Sequence, residues 1–186
     1  MIITIGRQLA AGGREVGKQV AEQLNLQYFD KELLLEAARR SGIADERFSL
    51  ADEKYNLFTL ALSTNNQRLF EFQAQTIRQL ASECNCLILG RAADYILRDF
   101  PNLFSIFLSA DIEQRARVVA LQENISHDDA INFIEKTDRN RANYYNFYTG
   151  RHWGDSHYDL CINTSRFGIN GTVQTILNAV KQSHKD

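Results

Sequence analysis

A glycine-bearing turn near the start of the chain joins an apolar run to a segment with helical spacing, in the stretch ITIGRQLAAGGREVGKQVAEQL at residues 3–24. Gly12 and Gly13 permit a tight strand-to-helix turn, and that alone is one ordinary explanation of the pair. The free amides and the dipole at the start of a helix also attract anions. The stretch therefore predicts a phosphate site at the start of the helix.

The turn departs from the phosphate-binding pattern G-x-x-x-x-G-K-[ST], in which the lysine neutralises phosphate charge and the hydroxyl holds Mg²⁺. Gly13 and Arg14 stand where the lysine and the hydroxyl residue belong. A guanidinium is always charged and forks across two phosphate oxygens, so Arg14, assisted by Arg7, is predicted to supply the missing charge. Neither residue supplies the hydroxyl, and the metal ligands stay unknown, with Glu15 and Asp30 as weak candidates.

Further candidates for phosphate chemistry lie later in the chain. Phosphoryl transfer depends on positioning and charge stabilisation, so guanidiniums are expected to converge on the donor and the acceptor. Arg91 follows the apolar run CLILG, at the predicted carboxyl end of a strand, where α/β folds bind ligands. Asp138 and Arg141 are three residues apart and share one helix face. A surface arginine and an intrahelical ion pair are the ordinary alternatives.

An aromatic run, NYYNFYTGRHW at residues 143–153, follows these charged residues. Aromatic rings at this density stack on a base or close a lid, but at helical spacing they more often form packing or subunit contacts. Packing is the preferred interpretation here. His152 and His157 lack a third ligand and are five residues apart, which argues against a metal pair.

Short apolar runs bounded by turn residues predict five strands, at residues 2–5, 26–29, 86–90, 103–108 and 158–163. Continuous rather than alternating apolarity is typical of strands covered on both faces, as in a parallel sheet. Segments with helical spacing lie between them, for example Val16, Val20 and Leu24. The predicted fold is a three-layer α/β sandwich with a parallel five-stranded sheet.

Two long spans between the strands have no strand pattern. Residues 31–83 are predicted to be helical and to cover the acceptor, and residues 111–157 to form a lid. Asp111 with Gln114, and Ser126 with Asp129, are spaced as helix-opening caps. The run YNLFTLAL at 55–62 is either core or a subunit contact. We expect one domain over residues 1–186.

Composition limits the classes of partner. The chain has 186 residues, 44% of them hydrophobic, and a formal net charge of −2. That balance creates no large field to attract nucleic acid or an anionic membrane, so we expect neither as a partner. The three cysteines form neither an even disulfide framework nor a C-x-x-C pair. No signal peptide or long apolar segment is present, and a cytoplasmic protein is expected.

The opening resembles that of bacterial cytidylate kinases, approximately I-T-I-D-G-P-S-G-A-G-K-S-T. It is still more similar to the cytidylate kinase-like family, whose members tend to open with an S-R-E-x-G-S-G-G-R-E type of segment. Gly6 and Ala10 replace a usual serine and glycine of that form. The positions that match it are Arg7, Gly12, Gly13, Arg14 and Glu15.

Later segments agree with the same family in order and spacing. YFDKELL at 28–34 resembles Y-x-D-R-E-L-L, and LILGRAADYIL at 87–97 resembles V-I-V-G-R-x-A-D-Y-I-L. Residues 138–165 resemble the lid and the last core strand, and SADIEQRARVV at 109–119 resembles the segment that leads into the lid of nucleoside monophosphate kinases. Together these segments cover most of the chain.

The resemblance implies a P-loop, nucleoside monophosphate kinase-like fold with a helical lid. It implies transfer of the γ-phosphoryl group of ATP, with Mg²⁺, to a small phosphorylated acceptor, most of all a pyrimidine nucleoside monophosphate such as CMP. Arg91 and Arg141 would hold acceptor phosphate, Asp94 would read the base and Asp138 would contact the sugar. Asp30 would orient the acceptor or hold the metal through water. Donor phosphates would be held by Arg7, Gly12, Gly13, Arg14, Glu15 and Arg115.

Two departures from the family pattern leave other functions open. Ile134 stands where cytidylate kinases usually have an arginine, and Asp94 is shifted by two residues relative to their base-reading acid. One alternative is therefore a kinase for a different small-molecule acceptor. The other is a regulatory module that binds nucleotide but lost catalysis along with the lysine and the hydroxyl. A small-molecule nucleotide is the expected partner in each leading case, and a homo-oligomer is left open.

Overall fold

The computed structural model describes residues 1–30, 67–155 and 157–183, apart from the side chains of Arg68 and Leu69. Within these residues five parallel strands form one sheet in the order β2-β3-β1-β4-β5. The strands are β1 (Ile2–Arg7), β2 (Gln27–Phe29), β3 (Cys86–Leu89), β4 (Leu103–Ser109) and β5 (Leu160–Asn163). The parallel five-stranded sheet is confirmed, and each strand end lies within two residues of its predicted limit.

Helices connect the strands and cover both faces of the sheet. They are α1 (Gly13–Gln23), α2 (Gln67–Glu83), α3 (Ala93–Ile96), α4 (Ile112–Glu123), α5 (His127–Thr149) and α6 (Thr164–Ser183). Only the part of the predicted 31–83 helical span from Gln67 onward is described, and the run at 55–62 lies outside the described residues. No helix within the described ranges is both long and apolar enough to cross a bilayer.

The central strands are buried on both faces, which explains their unbroken apolarity. Ile3 and Ile5 belong to one core cluster with residues of α1 and α6. Ile2 and Ile88 belong to the opposite cluster, with residues of α2 and α3. Each buried isoleucine of this kind contributes about 1.5–3 kcal/mol. A sheet held from both sides fixes the carboxyl ends of β1 and β3, where ligands of parallel sheets bind.

The α4–α5 hairpin begins with two different caps. The Ser126 hydroxyl accepts from the Asp129 amide at 3.1 Å and donates to the Asp129 carboxylate, so the predicted capping pair is confirmed. Asp111 occupies the cap position of α4, but its side chain makes no capping bond. Its carboxylate accepts instead from the side-chain amide of Asn163 at 3.0 Å, which corrects the second predicted pair.

Candidate functional site

The turn between β1 and α1 has left-handed backbone at two positions, Ala10 with φ 57° and Gly12 with φ 72°. A methyl group on Gly12 would contact only the tip of the flexible Ile169 side chain, so the left-handed conformation is what favours glycine there. At Ala10 the same conformation costs about 1–2 kcal/mol. Local strain of this kind persists where the surrounding structure holds the backbone in place.

The start of α1 has the geometry of an anion site. The first intrahelical hydrogen bond runs from the Val16 amide to the Gly12 carbonyl at 3.0 Å. In the described part of the chain no side chain caps this helix end. The amides of the first turn, which include those of Gly13 and Arg14, are therefore available to an anion.

The Arg14 side chain turns away from this helix end toward β2. Its Nη2 lies 3.3 Å from Oδ2 of Asp30, and the arginine side chain is 58% exposed whereas that of Asp30 is 9% exposed. Glu15 is exposed as well. Across the described ranges, no three His, Cys, Asp or Glu side chains form a group that could hold a metal ion. The roles of Glu15 and Asp30 as metal ligands stay predictions.

Three consecutive residues after β3 have left-handed backbone: Gly90 with φ 80°, Arg91 with φ 66° and Ala92 with φ 53°. The Gly90 amide donates to the Ile5 carbonyl at 2.9 Å, so the turn continues the pairing between β3 and β1. A non-glycine residue in this conformation costs about 1–2 kcal/mol. The turn holds the Arg91 backbone in a strained position beside the end of β1.

Arg7, Arg91 and Arg141 line one pocket at the carboxyl ends of β1 and β3. Arg141 reaches it from α5, where its Nη1 donates to the Arg7 carbonyl at 3.2 Å. Burial, followed by the like charges of Arg141 and Arg91, lowers the pKa of Arg7 to about 9. Burial also lowers the pKa of Arg91, to about 10. A bound anion would reverse both shifts, so the pocket is suited to phosphate.

Asp138 connects the α4–α5 hairpin to the turn after β1. One carboxylate oxygen accepts from the Leu9 amide at 2.8 Å, and the other lies 2.6 Å from Nη1 of Arg115. Arg141 is also near, with 3.9 Å between its Nη1 and the first oxygen. Arg115 is 6% exposed, and its Nε is buried without a described hydrogen-bond partner. The two predicted residues Arg115 and Asp138 thus form a buried ion pair beside the turn.

The position that usually carries an arginine in the lid of cytidylate kinases faces inward here. Ile134 is fully buried between α4 and α5, packed with Ala116, Val119 and Ala130. An arginine at this place would put a charge into an apolar contact. Ile134 therefore differs from the arginine of cytidylate kinases in its packing as well as in its charge.

A buried hydrogen-bonded network connects Asp94 to the segment that follows α5. The Tyr145 hydroxyl donates to the Asp94 carboxylate and lies 2.8 Å from Nε2 of His157. That histidine nitrogen is 3.6 Å from the same carboxylate. Burial raises the pKa of Asp94, while the hydrogen bond from Tyr145 and the charge of His157 act in the opposite direction. Neither Tyr145 nor His157 was singled out as a site residue from the sequence.

Aromatic rings form the wall of the pocket opposite the arginines. Tyr144, Tyr145 and Trp153 line it, and Tyr144 also donates to Oε1 of Gln73 at 3.0 Å. Tyr148 stacks on Phe70 with centroids 4.3 Å apart, as the packing interpretation predicts. The cavity between the arginines and these rings measures about 30 Å³.

The predicted site residues fall into three neighbouring groups. The pocket contains Arg7, Arg91, Asp94 and Arg141. Arg115 and Asp138 lie beside the turn, with Asp138 within 4 Å of Arg141. The start of α1 and the end of β2 hold Gly12, Gly13, Arg14, Glu15 and Asp30.

The comparisons with known proteins show the family of this chain. The model of the cytidylate kinase-like family matches residues 2–166. A curated relative named cytidylate kinase, from Saccharolobus islandicus, is 27% identical over 180 residues, which cover 95% of this chain and 89% of the relative. The resemblance predicted from the sequence is confirmed.

Solved structures show the same fold. An uncharacterized protein from Eubacterium ventriosum superposes with a TM-score of 0.78 at 30% identity, covering 97% of this chain and 98% of the other. Shikimate kinase from Bacteroides thetaiotaomicron superposes with a TM-score of 0.61 at 20% identity, over 97% and 98% of the two chains. The first pair is close in both sequence and structure, whereas the second shares the fold. The chain belongs to the cytidylate kinase-like family and has an α/β P-loop kinase fold.

Proposed function

We propose that the protein transfers the γ-phosphoryl group of ATP to a pyrimidine nucleoside monophosphate, with CMP as the preferred acceptor. The observation that carries the proposal is the meeting of three guanidiniums, from Arg7, Arg91 and Arg141, in one pocket with an aromatic wall. Guanidiniums match the charge of two phosphate groups, and aromatic rings match a base. A phosphorylated, ring-bearing acceptor fits both features at once.

In this proposal the start of α1 binds the donor, and the pocket binds the acceptor. The amides at Gly12 and Gly13 hold donor phosphate, assisted by Arg14 and Arg115, while Arg91 and Arg141 hold the acceptor phosphate. The α4–α5 hairpin acts as a lid, and α2 belongs to the part of the chain that covers the acceptor. Asp94, held by Tyr145, faces the base. The sugar contact that the resemblance implies for Asp138 competes with the contacts its carboxylate already makes.

Membership of a kinase family implies ATP and the Mg²⁺ ion that typically accompanies it. The described residues do not fit a protein-held metal well. The hydroxyl of the phosphate-loop pattern is replaced by Arg14, and the Asp30 carboxylate is already engaged by that guanidinium. We therefore assign no step to a metal and leave charge stabilisation to the arginines.

A coupled assay of ADP release tests the proposal against a panel of CMP, UMP, AMP, GMP and shikimate. Turnover is expected with CMP, and none with shikimate, which offers a hydroxyl but no phosphate. Arg91→Ala is expected to lower kcat/KM for CMP at least about 100-fold while the melting temperature is preserved. Arg98→Ala is the matched control, because Arg98 is partly exposed and lies outside the pocket. Near-normal activity of Arg91→Ala would remove the acceptor assignment.

The engaged Asp30 and the missing hydroxyl favour one second candidate, a nucleotide-binding module without catalysis. The two functions separate in a thermal-shift experiment run beside the assay. A module is stabilised by ATP or by nucleoside monophosphates but releases no ADP with any acceptor. If neither ATP nor any acceptor raised the melting temperature, both candidates would be refuted.

A further inference from the structure

The Arg7 side chain runs across the start of α1 into the phosphate pocket. A methyl group on Gly13 would lie 2.9 Å from Cγ of Arg7 and 3.3 Å from its Cβ. At the other end of the side chain, a methyl group on Gly90 would clash with Nη1 of Arg7, the flexible tip of that side chain. Gly13 therefore makes room for the arginine stem, and Gly90 lies beside its guanidinium.

Position 13 is where the pattern G-x-x-x-x-G-K-[ST] has its lysine, and position 7 is where it has its first glycine. The chain has the reverse, arginine at 7 and glycine at 13. The space next to the Gly13 Cα, into which a lysine stem would start, is filled by the stem of Arg7. The two departures from the pattern are thus linked in space.

The charges around Arg7 distinguish it from Arg14. Arg14 is 58% exposed and lies 3.3 Å from the Asp30 carboxylate. Arg7 is half-buried, and Arg141 and Arg91 are the like charges that act on it most strongly. Among the described residues its guanidinium makes no hydrogen bond or ion pair that would compensate its charge. A half-buried cation in this setting favours an anionic ligand.

We propose that Arg7 has taken over the task of the missing lysine: its guanidinium contacts the transferred phosphoryl group, and position 13 is glycine so that the Arg7 stem can pass. The inference rests on the proposed kinase function. In the step, an acceptor phosphate oxygen forms a bond to the γ-phosphorus while the bond from that phosphorus to the β–γ bridging oxygen breaks. The electron pair leaves with ADP, and Arg7 donates hydrogen bonds without losing a proton.

A double-mutant cycle tests the link between the two positions. Arg7→Met keeps the apolar stem but removes the charge, and it is expected to lower kcat about 10²–10³-fold at saturating substrates. Gly13→Ala is expected to lower activity in the wild-type background and to add nothing in the Arg7→Met background, because it acts by displacing Arg7. The reciprocal exchange, Arg7→Gly with Gly13→Lys, is expected to recover at least about tenfold over Arg7→Met.

Two readouts separate this role from a structural one. Arg7→Met removes a cation that lies among like charges. It is therefore expected to raise the melting temperature of the ligand-free protein, as substitutions in functional sites often do. The stabilisation by ATP is expected to fall by half or more. Arg139→Met, which removes an exposed charge from α5, is the matched control and should change neither quantity.

Several outcomes would overturn the inference while leaving the kinase function intact. The first is a loss of activity in Arg7→Met of less than about twofold relative to wild type, because the loss of a donor that stabilises charge lowers activity far more. A second is full additivity of the two substitutions. A third is a ligand-free melting temperature that drops by several degrees, which would make Arg7 structural. A wild-type protein that is inactive with every acceptor would instead refute the proposed function. The stabilisation by ATP would still show whether Arg7 binds phosphate.

Discussion

Replacing Asp138 by alanine is predicted to destabilise the protein even when no ligand is present. Its side chain is 14% exposed, and that of its partner Arg115 is 8% exposed, with 2.6 Å between their charged atoms. The substitution leaves the guanidinium buried without this carboxylate and also frees the Leu9 amide. Breaking a buried pair from one side costs about 3–5 kcal/mol. We expect about 3 kcal/mol, or a melting temperature lower by roughly 6–12 °C at this chain length.

Urea unfolding followed by circular dichroism measures the change in the free energy of unfolding. Asp128→Ala is the matched control, because that carboxylate lies on the same helix and is 97% exposed. It should change the free energy by less than about 0.5 kcal/mol. Asp138→Leu combined with Arg115→Met removes both charges and should therefore lose less than Asp138→Ala, since no charge stays buried alone.

A loss below about 1 kcal/mol for Asp138→Ala would refute this reasoning, because a pair this buried should be worth more. The same variant also tests the sugar contact that the family resemblance implies. A carboxylate reserved for the sugar would leave the ligand-free stability unchanged and raise only the KM for the acceptor. If the carboxylate instead holds the hairpin against the turn, its removal lowers the ligand-free stability.

Three further predictions concern the turn and the pocket. Gly12→Ala should destabilise by about 1–3 kcal/mol in urea unfolding because of its φ of 72°, whereas Gly171→Ala, with its nearest contact at 3.5 Å, should not. Arg91→Gly should abolish ADP release without lowering the melting temperature, because glycine relieves the left-handed strain at φ 66°. Since burial raises the pKa of Asp94 above 3.8, the folded state holds that proton more tightly. The contribution of Asp94 to the free energy of unfolding is fully present below its pKa in the unfolded state, and it is lost as the pH rises through its pKa in the folded state. Asp94→Asn should therefore remove that decline in a pH series of unfolding experiments.

Much of the scaffold could be predicted because it depends on local patterns. Unbroken apolar runs such as CLILG indicate strands buried on both faces, and the structure has β3 there with all four residues buried. The glycine pair at 12 and 13 indicates the strand-to-helix turn. The cap at Ser126 depends on a residue only three positions away and was also predictable. Asp111 looked the same in sequence, but its carboxylate bonds to Asn163, which is 52 residues away.

The interior of the site depends on contacts that no spacing encodes. Tyr145, on α5, meets Asp94 across 51 residues and His157 across 12. His157 lies in a segment without helical or strand periodicity. A Cβ atom on Gly13 or Gly90 would lie within 3 Å of the Arg7 side chain, and this depends on how three segments of the chain pack together. The D-x-x-R spacing correctly put Asp138 and Arg141 on one helix face. It could not show that the Leu9 amide and Arg115 would occupy the carboxylate.

The pocket has two ends whose residues differ in how freely they can change. Its charged end comes from Arg7 at the end of β1, Arg91 in the strained turn after β3 and Arg141 on α5. In the turn after β3, left-handed backbone at Gly90, Arg91 and Ala92 restricts the choice of residue. Its aromatic end comes from Tyr144, Tyr145 and Trp153, at the end of α5 and just beyond it. Directed evolution toward new acceptors should therefore draw its libraries from residues 144–158. The turns should be left unchanged, because the same residues carry the proposed chemistry and adopt the strained backbone.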